Sequence, residues 1–164
     1  MNVKNTNITS SISNKYGQIW ARYSTVNIED VDFINISSIY SPAISIDNCE
    51  NVEISNSRFI NLTADISAGA ISLKQEGNLC LKDCKFINTK SLRNAGAVIV
   101  DYGKDIDDNN VIILDCIFDN SSSMIGGAYI QLGGVLLMNN SNFTNSRASY
   151  DGGAKGNPSH RYAQ

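Results

Sequence analysis

Proline occurs only twice in this 164-residue chain, and histidine and tryptophan once each. Scarce proline leaves nearly every backbone N–H free to join a sheet. The single histidine, His160, falls outside the repeated part of the chain and reads as a bystander rather than a catalytic base. The four cysteines, Cys49, Cys80, Cys84 and Cys116, have no histidine partners and no zinc-motif spacing. No apolar run reaches the ~20 residues of a membrane span, and neither a heptad nor a long helical pattern is present. An excess of either charge is also missing. With 13 basic and 16 acidic side chains the net charge is -3, which gives no reason to expect nucleic acid or an anionic membrane as partner. The opening residues lack the basic-then-apolar layout of a secretion signal. Because a repeat is already under way at Val3, the chain is expected to be part of a longer polypeptide.

What is present is that repeat. Phe33, Phe59, Phe86, Phe118 and Phe143 follow one another at intervals of 26, 27, 32 and 25 residues. Around each Phe the same residue types recur. Seven and five residues before it stand aliphatic pairs: Val26 and Ile28, Val52 and Ile54, Leu79 and Leu81, Val111 and Ile113, and Leu136 and Met138. Positions two apart share one face of a strand. Three before it stands an Asx residue, at Asp30, Asn56, Asp83, Asp115 and Asn140. Two after it stands Asn35, Asn61, Asn88, Asn120 or Asn145. Asn and Asp tolerate a left-handed backbone and bond to it locally, so both positions are expected to be corners. A polar loop then ends at Pro42-Ala43, Gly69-Ala70, Gly96-Ala97, Gly127-Ala128 or Gly153-Ala154. Glycine there suits a tight turn of positive φ, and alanine suits a site where coils crowd. A short apolar strand follows in most coils.

Three short strands in a coil of this length cannot close a core alone. Stacked coils pair their open edges and build one continuous core, which makes a parallel β-helix of about five to six coils. Right-handedness is expected from the usual hand of parallel crossovers. A β-sandwich would match the strand count but would not need identical corner residues. One domain is expected over 1–154, with a degenerate first coil at 1–24 and an irregular tail at 155–164. In the first coil Val3, Ile8 and Ile19 fall where later coils carry strand residues, and Trp20 reads as a cap over the stack or as one more core or rim aromatic.

Departures from the repeat are the candidate sites. The long coil has its excess between Val100 and Val111. Asp105, Asp107 and Asn109 there have the spacing that opens a calcium loop, but Asn110 stands where that loop needs glycine and Cys116 where it needs a bidentate glutamate. A solvated acidic protrusion is the favoured reading, and no metal or cofactor is expected. Cys84 and Cys116 share a position in adjacent coils and are read as buried thiols in preference to a bridge. Asp83 and Asp115, also stacked, are read as corners in preference to an acid–base pair. Lys74, Lys82, Lys85, Lys90 and Arg93 crowd into one coil, with Lys82 and Lys85 the candidate ligand contacts. Ile112, Leu114, Ile117 and Leu137 should point outward and form an apolar patch, a partner surface or one covered by a loop. Sequons at Asn7, Asn35, Asn61, Asn120, Asn139 and Asn142 are compatible with an extracellular setting.

The pairing of F-x-N with G-G-A resembles the repeats of polymorphic outer membrane proteins and of adhesin-like surface proteins of bacteria and methanogenic archaea. It stands at Phe118, Asn120 and Gly126-Gly127-Ala128, and again at Phe143, Asn145 and Gly152-Gly153-Ala154. It recurs in weaker form at Phe59, Asn61, Gly69-Ala70-Ile71 and at Phe86, Asn88, Gly96-Ala97-Val98. One residue between Phe and Asn, instead of two, places the chain nearer the adhesin-like variety. The resemblance implies a right-handed β-helix with the pectin lyase-like fold, displayed at the cell surface and serving adhesion or as a stalk. Its partner would be a glycan or protein on a host or neighbouring cell. The alternative that the same fold carries is a pectate-lyase-like enzyme, or its remnant, acting on acidic polysaccharide. No coil gathers His, Arg and carboxylates together, so the residues favour binding or structure over catalysis.

Overall fold

The aliphatic pairs before the first four phenylalanines are almost wholly buried and Leu136 and Met138 partly so, while their neighbours along the chain face outward. This alternation makes strands. In the computed structural model, which describes residues 1–13, 15–75, 77–103 and 109–156, the pairs lie on Val26–Ser38, Asn51–Ser55, Asn78–Lys82, Asn110–Leu114 and Val135–Asn139. Each strand pairs in parallel with its counterpart one coil away, so that Val26, Val52, Leu79, Val111 and Leu136 fall in one row. A second face holds the phenylalanines, on the second half of Val26–Ser38, then Arg58–Ala64, Lys85–Ser91, Ile117–Asp119 and Asn142–Thr144. A third face consists of Ile19–Arg22, Ile44–Asp47, Ile71–Lys74, Val98–Asp101, Tyr129–Leu132 and Lys155–Gly156. These six strands, one per coil, form their own sheet. The first two faces merge into a 13-stranded sheet because Val26–Ser38 runs through both. Every strand pair is parallel and no helix occurs among the described residues. The protein is a β-solenoid of parallel strands, as the repeat predicts.

The Asx corners explain how a chain with so little proline turns so often. Asp30, Asn56, Asp83, Asp115 and Asn140 have φ of 55°, 48°, 53°, 54° and 47°. Asn35, Asn61, Asn88, Asn120 and Asn145 have 56°, 54°, 54°, 52° and 52°. Both rows are left-handed, the region Asn and Asp occupy at least cost among residues with a Cβ. The first coil obeys the same plan. Val3 pairs with Ile28 and Ile8 with Phe33, while Asn5 and Ser10 take the two corners, each at φ 49°. A third corner was not legible as a motif, because its residue type varies. It falls at Tyr23, Asn48, Gln75 and Gly133, with φ of 49°, 52°, 69° and 74°.

Glycine before alanine has a different cause from the expected one. Gly69, Gly96 and Gly127 are not in the left-handed region. A Cβ on Gly96 would lie 1.8 Å from the carbonyl oxygen of Gly127 in the next coil, and Gly69 stands in the same relation to Gly96. Close approach of stacked backbones, not turn conformation, excludes a side chain there. Within the segment 155–164 expected to be irregular, Lys155–Gly156 pairs with Tyr129 and Ile130, and residues 157–164 lie outside the described ones. His160 and Pro158 lie outside the described residues.

Along the core the five phenylalanine rings are stacked, with centroids 5.1, 4.6, 4.7 and 4.5 Å apart and planes within 6° of parallel. Phe33, Phe59, Phe86 and Phe118 are fully buried, each burial stabilising by ~1.5–3 kcal/mol. Outside, the Asn corners form a ladder. Asn61 Nδ2 donates to Asn35 Oδ1 at 3.0 Å, Asn88 to Asn61 at 2.9 Å and Asn120 to Asn88 at 2.7 Å. The last rung departs: Asn145 donates instead to the Asp119 carboxylate at 2.9 Å.

Candidate functional site

Lys82 and Lys85 flank the Asp83–Cys84 bend and are both exposed. In register, Lys82 lies between Ser55 and Leu114, and Lys85 between Arg58 and Ile117. Ile112 and Leu114 point outward and are half-buried, and Ile112 pairs with Leu137, which is 59% exposed. Ile117 at 38% and Val135 at 54% extend the apolar area. The fold therefore brings Ile112, Leu114 and Leu137 together on the outer side of the first face, with Ile117 across the Asp115 bend on the second, and Lys82 and Lys85 stand one coil away on the same two faces. Cys80, beside Ile112, continues this row; burial and the nearby Glu53 push its thiol above the ordinary value.

The other charged candidates do not converge. Lys74 is on the third face, Lys90 lies beyond the Asn88 corner and Arg93 is in the following loop. Arg58 is already committed. It makes a two-pronged hydrogen-bonded pair with Asp32, with Nε donating to Oδ1 at 2.6 Å, and this pair holds the Asp32 carboxyl below its usual range. Asp83 and Asp115 are exposed at left-handed corners, and Asp115 accepts a hydrogen bond from the Asn140 amide. Asp105 and Asp107 lie outside the described residues. Asn109 is described, and its carbonyl accepts from Val135 N at 2.9 Å. Among the described residues no three His, Cys, Asp or Glu side chains stand where they could hold a metal ion.

Cys84 and Cys116 are fully buried free thiols. Each donates from Sγ to the carbonyl two residues earlier, Lys82 O at 3.3 Å and Leu114 O at 3.2 Å. Ser57 and Ser141 make the same bond, to Ser55 O at 2.7 Å and Asn139 O at 3.0 Å. Four of the five positions in this row thus carry a small donor that satisfies the carbonyl exposed by the bend, and Val31 fills the fifth with apolar volume. The neighbouring Cys116 sulfur and burial hold the Cys84 thiol well above its ordinary value.

A second arrangement escaped sequence reading. On the outer side of the third face one row runs Trp20, Ser45, Ser72, Ile99, Ile130. Ile99 and Ile130 are buried against Ala68 and Ala95 of the covering loops and Ile125 at the end of the strand Ser122–Ile125. Two coils earlier the row is small, at Ser45 and Ser72, and a groove of about 370 Å³ opens between sheet and loops. Tyr16 and Tyr40 contribute rings. Tyr16 stacks on Trp20 with centroids 5.0 Å apart and planes 5° from parallel, and on Tyr40 at 5.9 Å and 21°. Trp20 is 52% exposed, which fits a rim aromatic, the third of the roles open to it, and not a core residue. Lys15 Nζ sits 5.1 Å from the Tyr16 ring centre. At the rim Arg22 Nε pairs with Asp47 Oδ2 at 2.9 Å, and Lys74 follows Asp47 in register. The signal available in the sequence was the spacing of Tyr16 and Tyr40, close to one coil, which places two aromatics on one side of the stack.

Fold and surface define a β-solenoid of parallel strands with an apolar patch and a separate aromatic groove on its outside. No family model, curated protein or solved structure matches the chain.

Proposed function

We propose that this chain is a surface-exposed β-helix segment of an adhesin-like protein, which binds a cell-surface partner and does not transform it. The observation that supports this reading is the outer patch of Ile112, Leu114, Ile117 and Leu137 bordered by Lys82 and Lys85. Two coils earlier the same rows are polar, with Glu53 in the row of Ile112 and Ser55 in that of Leu114. Contiguous solvent-facing aliphatic side chains mark a contact area for another macromolecule. The ladders of Phe and Asn make the segment a stiff support for that area.

The test measures binding of the labelled chain to intact cells and to arrayed glycans and surface proteins. Leu114→Ser/Leu137→Ser and Lys82→Gln/Lys85→Gln variants are compared with the parent. Saturable binding lost in both variants, with thermal stability kept, is the expected result. Calcium-dependent release of unsaturated products from polygalacturonate, followed by absorbance, would replace this reading by the lyase alternative. A native polypeptide found only in the cytosolic fraction would also overturn it.

A further inference from the structure

We infer that the groove of Tyr16, Trp20 and Tyr40 is a separate binding site for a negatively charged saccharide. It lies on the third face of the solenoid, away from the patch of Leu114 and Leu137, and stands independently of it. Three features carry the inference. The first is shape. Ser45 and Ser72 occupy the row that Ile99 and Ile130 fill two coils on, so the opening exists because two side chains are small. Its volume of about 370 Å³ lies within the ~300–1,000 Å³ typical of small-ligand sites.

The second feature is the aromatic wall. Trp20 is held by Tyr16, yet half its surface remains open. A rigid, flat indole fixed in this way suits the C–H face of a sugar ring, whose weakly positive hydrogens meet the negative face of the π-system. The hydroxyls of Ser45, Ser67 and Ser72 in the floor supply hydrogen-bonding groups for a hydroxylated ligand.

The third feature is charge. Lys15, Arg22 and Lys74 line the groove against one carboxylate, Asp47, in a chain whose net charge is -3. Asp47 is paired with Arg22, and the lysine ammonium groups have no ion pair among the described residues. Asp101, the next residue in the rim row, is not part of the lining. A locally positive groove on an acidic protein selects an anionic ligand. Carboxylate and sulfate share this chemistry.

Trp20 is the only tryptophan, so its fluorescence reports on this site alone. The intact chain is titrated with short oligogalacturonates, with heparin-derived sulfated oligosaccharides and with neutral galactose oligomers. The expected result is a saturable emission change with one or both charged series and none with the neutral one, weakened by added salt. Ser72→Ile places in the groove the residue that the same row carries at Ile99, and should weaken binding roughly tenfold or more, a factor of ten being about 1.4 kcal/mol. Lys15→Gln/Lys74→Gln alters only rim side chains and should weaken the charged series in the same way. No response to either charged series, equal response to the neutral one, or unchanged affinity in either variant overturns the inference. Cell binding that survives Ser72→Ile but fails in Leu114→Ser/Leu137→Ser would refute the groove as the adhesive site and leave the proposed function standing.

Discussion

Replacing Phe86 by alanine should destabilise the protein far more than replacing Phe143, although the two occupy the same row. Phe86 is fully buried and stacked on both sides, 4.6 Å from Phe59 and 4.7 Å from Phe118. Phe143 is partly buried and has one ring neighbour, at 4.5 Å. Truncating a buried phenylalanine costs ~3–5 kcal/mol, and each lost ring pair accounts for ~0.5–1.5 kcal/mol beyond area. Two pairs place Phe86→Ala near the top of that range, about 5 kcal/mol. One pair and partial burial place Phe143→Ala at roughly 2 kcal/mol. Urea unfolding followed by far-ultraviolet circular dichroism reads the difference as a shift in midpoint at constant slope. In thermal melts of a chain this size, ~2–4 °C per kcal/mol gives a drop of roughly 10–20 °C for Phe86→Ala. Equal shifts for the two variants would refute the reasoning. They would mean that neither the depth of burial nor the second ring neighbour sets the cost.

The Asn ladder predicts a loss of roughly 2 kcal/mol for Asn88→Ala in the same assay, from a left-handed alanine and two broken side-chain bonds. Asp32 has its carboxyl lowered by the Arg58 hydrogen bonds. That contribution is present above the unfolded value of ~3.9 and is lost as pH falls through the folded value. Melting curves of parent and Arg58→Gln should therefore differ at neutral pH and converge in acid; a gap that persists in acid would remove Asp32 as the cause. Thiol labelling of the native protein should modify half-buried Cys80 alone, slowly because its thiol is raised, while Cys49, Cys84 and Cys116 react only after unfolding. Mass mapping that finds Cys84 or Cys116 modified first would contradict the burial.

Much of the architecture could be read before any coordinates, because a solenoid writes its contacts as a period. Phe33, Phe59 and Phe86 touch because they are one coil apart, and the Asx residues at both corners announce their backbone conformation by type. The third corner was hidden because backbone pairing tolerates Tyr23, Asn48, Gln75 or Gly133 there. The reason for glycine at Gly69, Gly96 and Gly127 was hidden as well, since crowding by a neighbouring coil leaves no local sign. The apolar patch was legible because Ile112 and Leu114 break an alternation. The groove was not, because it is made by what Ser45 and Ser72 lack relative to Ile99, and an absence of volume shows only once the rows are aligned on the third face.

The asparagine ladder gives the molecule a direction. In each of its three rungs the amide N–H of the later coil donates to the carbonyl of the earlier one, from Asn120 down to Asn35. The side-chain dipoles are thereby aligned head to tail along the axis, and each bond polarises the next. One end of the row offers donors and the other acceptors, as in a bar magnet with distinguishable poles. A coil or a second solenoid laid on in the opposite sense would set amide against amide and oxygen against oxygen. A further Asn rung would extend the ladder only in the same sense.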